Sequence, residues 1–157
     1  EGGVILARIL GKVALEAKPG VTTKELDSLT KKLILKSGAE TAFLDYHEFP
    51  GVVCTAINEE GVHVPPSKRE LEEGDILTLD MGLKWKGWYL DMARTIPIGK
   101  ISKEKSQLIS ATKEALELGI KQAAAVEGVN GPAPPDLERR ITCAYSKPEM
   151  KQALQKP

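Results

Sequence analysis

The segment Leu77–Thr95, LTLDMGLKWKGWYLDMART, alternates apolar and polar residues on both sides of a short Lys-Trp-Lys-Gly stretch. Alternation with period two marks a strand with one buried face, so the segment reads as a β-hairpin. A two-residue loop at Trp85-Lys86 sets Asp80 directly opposite Asp91, with Leu79 against Met92, Met81 against Leu90 and Leu83 against Trp88. The apolar pairs then share one face and the aspartates the other. Gly87 leaves a competing choice, a type I turn with a bulge, which shifts the pairing by one and sends the aspartates to opposite faces. Directly opposed side chains lie roughly 4.5–5.5 Å apart at Cβ, and like charges there repel. A divalent cation with its preference for hard oxygen ligands would reverse that sign. An aspartate pair in a hairpin is more often simply solvated, so the pair alone is a weak signal.

Outward from the hairpin, the punctuation is clear. Upstream, VVCTAIN (Val52–Asn58) reads as a further strand after the Pro50-Gly51 turn, and Pro65-Pro66 and Gly74-Asp75 bracket a loop. At the front, Ile5, Ile9, Val13 and Ala17 recur at helical spacing with Leu6, Leu10 and Ala14 beside them, until Lys18-Pro19-Gly20 stops the pattern. Thr22 and Glu25 form a capping box for a second helix with Leu26, Leu29 and Leu33 as its buried stripe, ending near Gly38. Downstream, Ser102 can cap a third helix through Leu108, Thr112, Ala115, Leu116 and Gly119. From Ala123 to Pro157 no period holds, and the reading is a poorly ordered or weakly helical tail.

Composition narrows the function classes. The 157 residues carry 22 Lys plus Arg and 22 Asp plus Glu, so net charge gives no reason to expect a nucleic-acid or anionic-membrane partner. Cys54 and Cys143 have no metal-type spacing and read as reduced cytoplasmic thiols. No apolar run is long enough to span a bilayer, and no signal peptide opens the chain. The chain begins at Glu1 inside a helical pattern, as a partial sequence does.

Four motifs in order sharpen the picture. KPGVTTKELD (Lys18–Asp27), YHEFPGVVCTAINEEGVHVPP (Tyr46–Pro66), LEEGDILTLDMGLKWKG (Leu71–Gly87) and the aspartate eleven residues after Asp80 resemble, in order and nearly in spacing, bacterial type I methionine aminopeptidases. Four ordered motifs are far more specific than any one. The resemblance covers roughly residues 1–122 and implies an α/β (α+β) fold: the first half of a pita-bread (creatinase/aminopeptidase-like) domain, an antiparallel sheet covered by helices. It implies removal of N-terminal methionine from nascent proteins at a centre of two divalent metal ions, Co, Mn, Fe or Zn. Asp80 and Asp91 would be metal ligands, His63 would act on the scissile amide, and Tyr46, Phe49 and Cys54 would line the methionine pocket with His47 at its rim. Ordinary core packing for Tyr46, Phe49 and Cys54, and an ordinary loop position for His47 and His63, are the bland alternatives.

The departures are equally specific. Glu48 replaces a glycine before the aromatic, and His63-Val64-Pro65-Pro66 lacks the glycine of the family's H-G-I-P. The family's remaining ligands are a histidine and two glutamates from its second half, whereas both histidines here, His47 and His63, precede the aspartates. The likeness stops near Gln122, as a truncated or frame-shifted reading does, so the chain is expected to be an incomplete form, inactive alone. The alternative is a non-catalytic peptide-binding or interaction module on half the fold. A relative of X-Pro dipeptidase type shares the aspartate pair, but YHEFP…CTAIN fits the methionine pocket better. The expected partner is a peptide or nascent-chain N-terminus bearing methionine, with self-association through the uncovered half-fold interface.

Overall fold

The structure, a computed structural model, describes residues 1–124, with side chains except at 118 and 121–124. The tail expected to be poorly ordered lies, from residue 125 on, outside the described residues. The chain divides into two units, Glu1–Ile101 and Ser102–Pro157.

In the first unit, helices α1 (Gly2–Glu16) and α2 (Thr23–Lys36) precede strands β1 (Glu40–Thr41), β2 (Val53–Ile57), β3 (Ile76–Trp85) and β4 (Trp88–Pro97). All pairings are antiparallel. Strand β3 is the centre: β4 pairs along its whole length, while β2 (against Leu77–Met81) and β1 (against Leu83 and Lys84) share its other edge. In the second unit, α3 spans Lys103–Ala124, two residues past the expected end at Gln122, and Ser102 Oγ accepts from the Lys105 N–H at 3.3 Å as the cap anticipated from the sequence.

The hairpin register differs from the one expected. Trp85 pairs with Trp88, so the loop is Lys86-Gly87, with φ of +50° and +84°. Positive φ at both central residues is the two-residue turn whose twist matches the strands, and Gly87 adopts it without a Cβ penalty. The consequence is a slide by two: Met81 faces Met92, Leu83 faces Leu90, Leu77 faces Ile96, and Leu79 faces Arg94. A slide by two preserves face parity. Asp80 therefore faces Ala93 and Asp91 faces Gly82, and the aspartates remain on one face as diagonal neighbours.

The opposite face of β3 builds the core. Leu77, Leu79, Met81 and Leu83 are fully buried under Leu6, Ile9, Leu10 and Val13 of α1 and Leu26 and Ile34 of α2. Each such side chain contributes about 1.5–3 kcal/mol by leaving water. The seam of α2 is rotated from the stripe expected: Thr23, Leu26, Asp27, Thr30 and Ile34 are buried, and Leu29 and Leu33 only partly. Three polar positions on an inward face need partners, and Thr30 finds one in its own helix, donating to the Leu26 carbonyl at 2.7 Å. The capping box of α2 is present as expected, with the Glu25 N–H on Thr22 Oγ1 and the Thr22 N–H on Glu25 Oε2.

Candidate metal and peptide site

The outer face of the sheet presents three rows of alternating positions. Strand β2 contributes Cys54 and Ala56, β3 contributes Thr78, Asp80, Gly82 and Lys84, and β4 contributes Tyr89, Asp91, Ala93 and Thr95. Asp80 stands between Cys54 on one side and Ala93 on the other. Burial falls across the rows: Cys54 is buried, Asp80 half-buried, and Asp91 and Ala93 exposed. The site thus lies where a covered part of the sheet meets an open one.

Small residues frame the carboxylates. Asp91 faces a glycine and Asp80 an alanine. Gly82 is needed for a second reason, since a Cβ there would stand 2.6 Å from Phe43 Cε1. Phe43 closes over this point and meets Phe49 edge-on, ring centroids 6.4 Å apart. Next to the pair, Thr78 and Thr95 hydroxyls bond to each other at 2.8 Å. Asp80 Oδ1 is buried and has no hydrogen-bond partner. Burial, then the charge of Asp91, then contact with the Asp91 carboxyl push Asp80 up to about 6, with the positive charge of His63 pulling weakly back. The Cys54 thiol is pushed up to about 11 by burial and by the two aspartates, so it stays protonated.

A buried carboxylate oxygen without a donor, beside a second carboxylate and small neighbours, is the donor set a divalent cation takes. Asp80 and Asp91 therefore fit such an ion. Among the described residues no group of three or more His, Cys, Asp and Glu could hold a metal, so what they would offer such an ion is this carboxylate pair.

Two loops flank it. The first, residues 42–52, carries Tyr46, His47 and Phe49. A turn of 3-10 type over Tyr46–Glu48 sets the Tyr46 and His47 rings edge to face, centroids 4.4 Å apart, and Tyr46 is 67% exposed, which removes it from the core. Phe49 is half-buried and Cys54 buried, so both take part in packing. The second loop, 58–66, carries an exposed His63, whose charge is felt at Asp80. Asp45, His47, Glu48, Asn58 and His63 all have positive φ, a conformation that costs non-glycine residues of order 1 kcal/mol or more and gathers at functional sites. Glu48 takes it at +63° with no glycine to ease it. Val64 does not, and its carbonyl accepts the Thr55 N–H at 2.9 Å, so the glycine lost there carried no left-handed backbone in this chain.

Sequence reasoning did not single out Phe43, Gly82 or Asp27. A glycine inside an apolar strand was the available signal for the first two. An aspartate on the inward stripe of α2 was the signal for the third.

Comparison with known proteins bears on the family and the fold. Residues 1–136 match metallopeptidase family M24. The chain is 44% identical over 124 residues to methionine aminopeptidase of Clostridium acetobutylicum and 40% identical over 123 residues to methionine aminopeptidase 1 of Bacillus subtilis, in both cases 78% of this chain and 50% of the relative. The crystal structure of methionine aminopeptidase from Rickettsia prowazekii superposes with a TM-score of 0.78 at 30% identity, over 89% of this chain and 54% of that one. The chain thus spans about half the length of the curated relatives it matches. Its sheet and helices are the pita-bread architecture, as anticipated from the motifs, and its likeness is to the N-terminal portion of methionine aminopeptidases.

Proposed function

The chain belongs to metallopeptidase family M24, and from that premise we propose that it supplies the carboxylate half of the metal centre and the methionine pocket of an enzyme that removes N-terminal methionine from nascent proteins in the cytoplasm. The observation that carries this is the outer-face pair: Asp80 and Asp91 share a face, crowd each other, and leave Asp80 Oδ1 without a donor. Bound there, divalent metal would polarise a scissile carbonyl and lower the pKa of a water. The chain's own residues do the rest. Asp80 and Asp91 would hold the cation, and their mutual repulsion would be relieved by it. His63, exposed in the 58–66 loop, would donate to the substrate amide where charge develops. Phe49 and buried Cys54 receive the apolar thioether side chain, with Tyr46 and His47 at the rim.

Two carboxylates cannot fix two ions and a water in reacting geometry, so the 157-residue chain by itself is expected to be inactive. Incubated with excess Co²⁺, Mn²⁺ or Fe²⁺ and a Met-Ala-Ser peptide, it should release no free methionine, while Mn²⁺ should bind weakly in a manner lost in Asp80→Ala. Methionine release that vanishes in Asp80→Ala would overturn the inactivity and mean that a second copy, docked on the open outer face, completes the ligand set. The absence of a third ligand among the described residues favours a second reading, a peptide-binding module without catalysis. Binding of a Met-initiated peptide that is indifferent to metal and to Asp80→Ala would support it.

A further inference from the structure

The two loops that flank the carboxylate pair arise from different parts of the chain, yet both are fastened to the first two turns of α2. We propose that Thr23 and Asp27 are positioning residues: together they form one mount that holds the Phe49 arm and the His63 arm of the site in register with each other. This inference rests on the peptide-pocket reading above and adds the residues on which that pocket's geometry depends.

The His63 arm is fastened just after Pro65-Pro66. The Thr23 hydroxyl accepts the Ser67 N–H at 2.8 Å and donates to the Ser67 carbonyl at 3.1 Å. The Lys24 N–H adds a bond to the same carbonyl at 2.8 Å, and the Thr23 N–H bonds the Arg69 carbonyl at 3.1 Å. These are the free N–H groups of a helix's first turn, taken here by a distant segment. The Phe49 arm is fastened one turn later. Asp27, 6% exposed, accepts the Val52 N–H on Oδ1 at 2.7 Å. A Cβ on Gly51 would stand 2.8 Å from that Oδ1 and 2.7 Å from Pro66 Cγ. The arms therefore touch each other at Gly51 and Pro66, directly over the carboxylate that anchors one of them.

A buried carboxylate and a buried hydroxyl on the inward face of a helix are costly unless bonded. An apolar pair would serve a purely structural seam as well. What the polar pair adds is direction: each side chain fixes one backbone position of one arm. Neither residue touches substrate, so each acts through His63 or Phe49.

The test uses the full 157-residue chain. It contains only two histidines, so each imidazole gives its own NMR signal. Mn²⁺ held by Asp80 and Asp91 should broaden the His63 signal far more than that of His47. In Thr23→Val and Asp27→Ala the broadening of His63 should fall several-fold while Mn²⁺ affinity is unchanged, because both ligands sit on β3 and β4. Thr23→Ser and Asp27→Asn, which keep the hydroxyl and the acceptor, should restore it. Loss of stability alone would not separate these conservative variants from wild type in this way. A metal-free reading accompanies it: contacts between Gly51 Hα and the Pro66 ring should be present in wild type and lost in Thr23→Val and Asp27→Ala. Unchanged broadening and unchanged Gly51–Pro66 contacts in folded variants would overturn the mount. Should Mn²⁺ broaden neither histidine in wild type, the carboxylate-site reading falls, and the Gly51–Pro66 contacts still decide the mount. Thr23→Val alone, nearly isosteric, decides it where Asp27→Ala does not fold.

Discussion

The two faces of β3 use alternate residues of one strand for opposite ends. Leu77, Leu79, Met81 and Leu83 are sealed under two helices. Thr78, Asp80, Gly82 and Lys84 look outward onto a surface that is covered beside β2 and open beside β4. On the inner face the leucine and methionine contacts lower free energy by excluding water. On the outer face a carboxylate is half-withdrawn from water beside another carboxylate, an arrangement that costs stability in the absence of a cation. The difference teaches that the fold is built from one face and lends rigidity to the other, which can then carry strain for chemistry.

The largest effect should come from weakening the inner face. Leu79→Ala removes a fully buried side chain and is expected to cost about 2–5 kcal/mol, read as the shift in urea midpoint at constant slope. A loss under about 1 kcal/mol would mean that the helices do not seal the sheet as described.

Next, Gly82→Ala adds a single methyl to the outer face, where Phe43 leaves no room. It should cost about 1–3 kcal/mol and displace Phe43, visible as altered ring contacts between Phe43 and Phe49. A neutral result would show that Phe43 moves aside freely.

A smaller effect of opposite sign is expected at Asp80. Its carboxyl titrates at about 6 in the fold against the usual 3.8, so the folded state holds the proton more tightly than the unfolded chain. The penalty is therefore full above about pH 6, and stability at this group rises as pH falls through the window down to 3.8. Asp80→Asn should stabilise the metal-free protein at about pH 8 by on the order of 1 kcal/mol after solvent screening, with the gain vanishing in acid. Excess Mn²⁺ should raise the Tm of wild type and leave Asp80→Asn unmoved. Destabilisation by Asp80→Asn without metal would contradict the repulsion on which the site rests.

The smallest effect sharpens the comparison from within. Thr55 lies on the inner face opposite Leu79, 1% exposed, and its hydroxyl has no partner. It is a polar flaw on the apolar side. Thr55→Val should gain roughly 0.5–1 kcal/mol in thermal unfolding, and a loss would reveal a bonded partner for the hydroxyl.

The sequence by itself determined most of the scaffold. Period-two alternation, the capping box at Thr22 and Glu25, the Ser102 cap and the Pro-Gly breaks are local signals, and their elements stand close to where those signals put them. Face parity of Asp80 and Asp91 was legible in the register that gathers the apolar residues of both strands on one side, although the bulged turn that Gly87 also allowed would have parted them. The register itself was not. Apolar matching scores a slide of two nearly as well as the true pairing, and the choice fell to backbone handedness at Lys86 and Gly87. The inward seam of α2 was misread for a similar reason: Leu29 and Leu33 look apolar in one dimension, but Thr23 and Asp27 are drawn inside by backbone groups of residues 52 and 67 that no local window contains. Only the tertiary structure decided which loops meet over Asp27, since those partners are separated by tens of residues in the chain and are brought together by hydrogen bonds whose donors become unsatisfied only when the core closes around them.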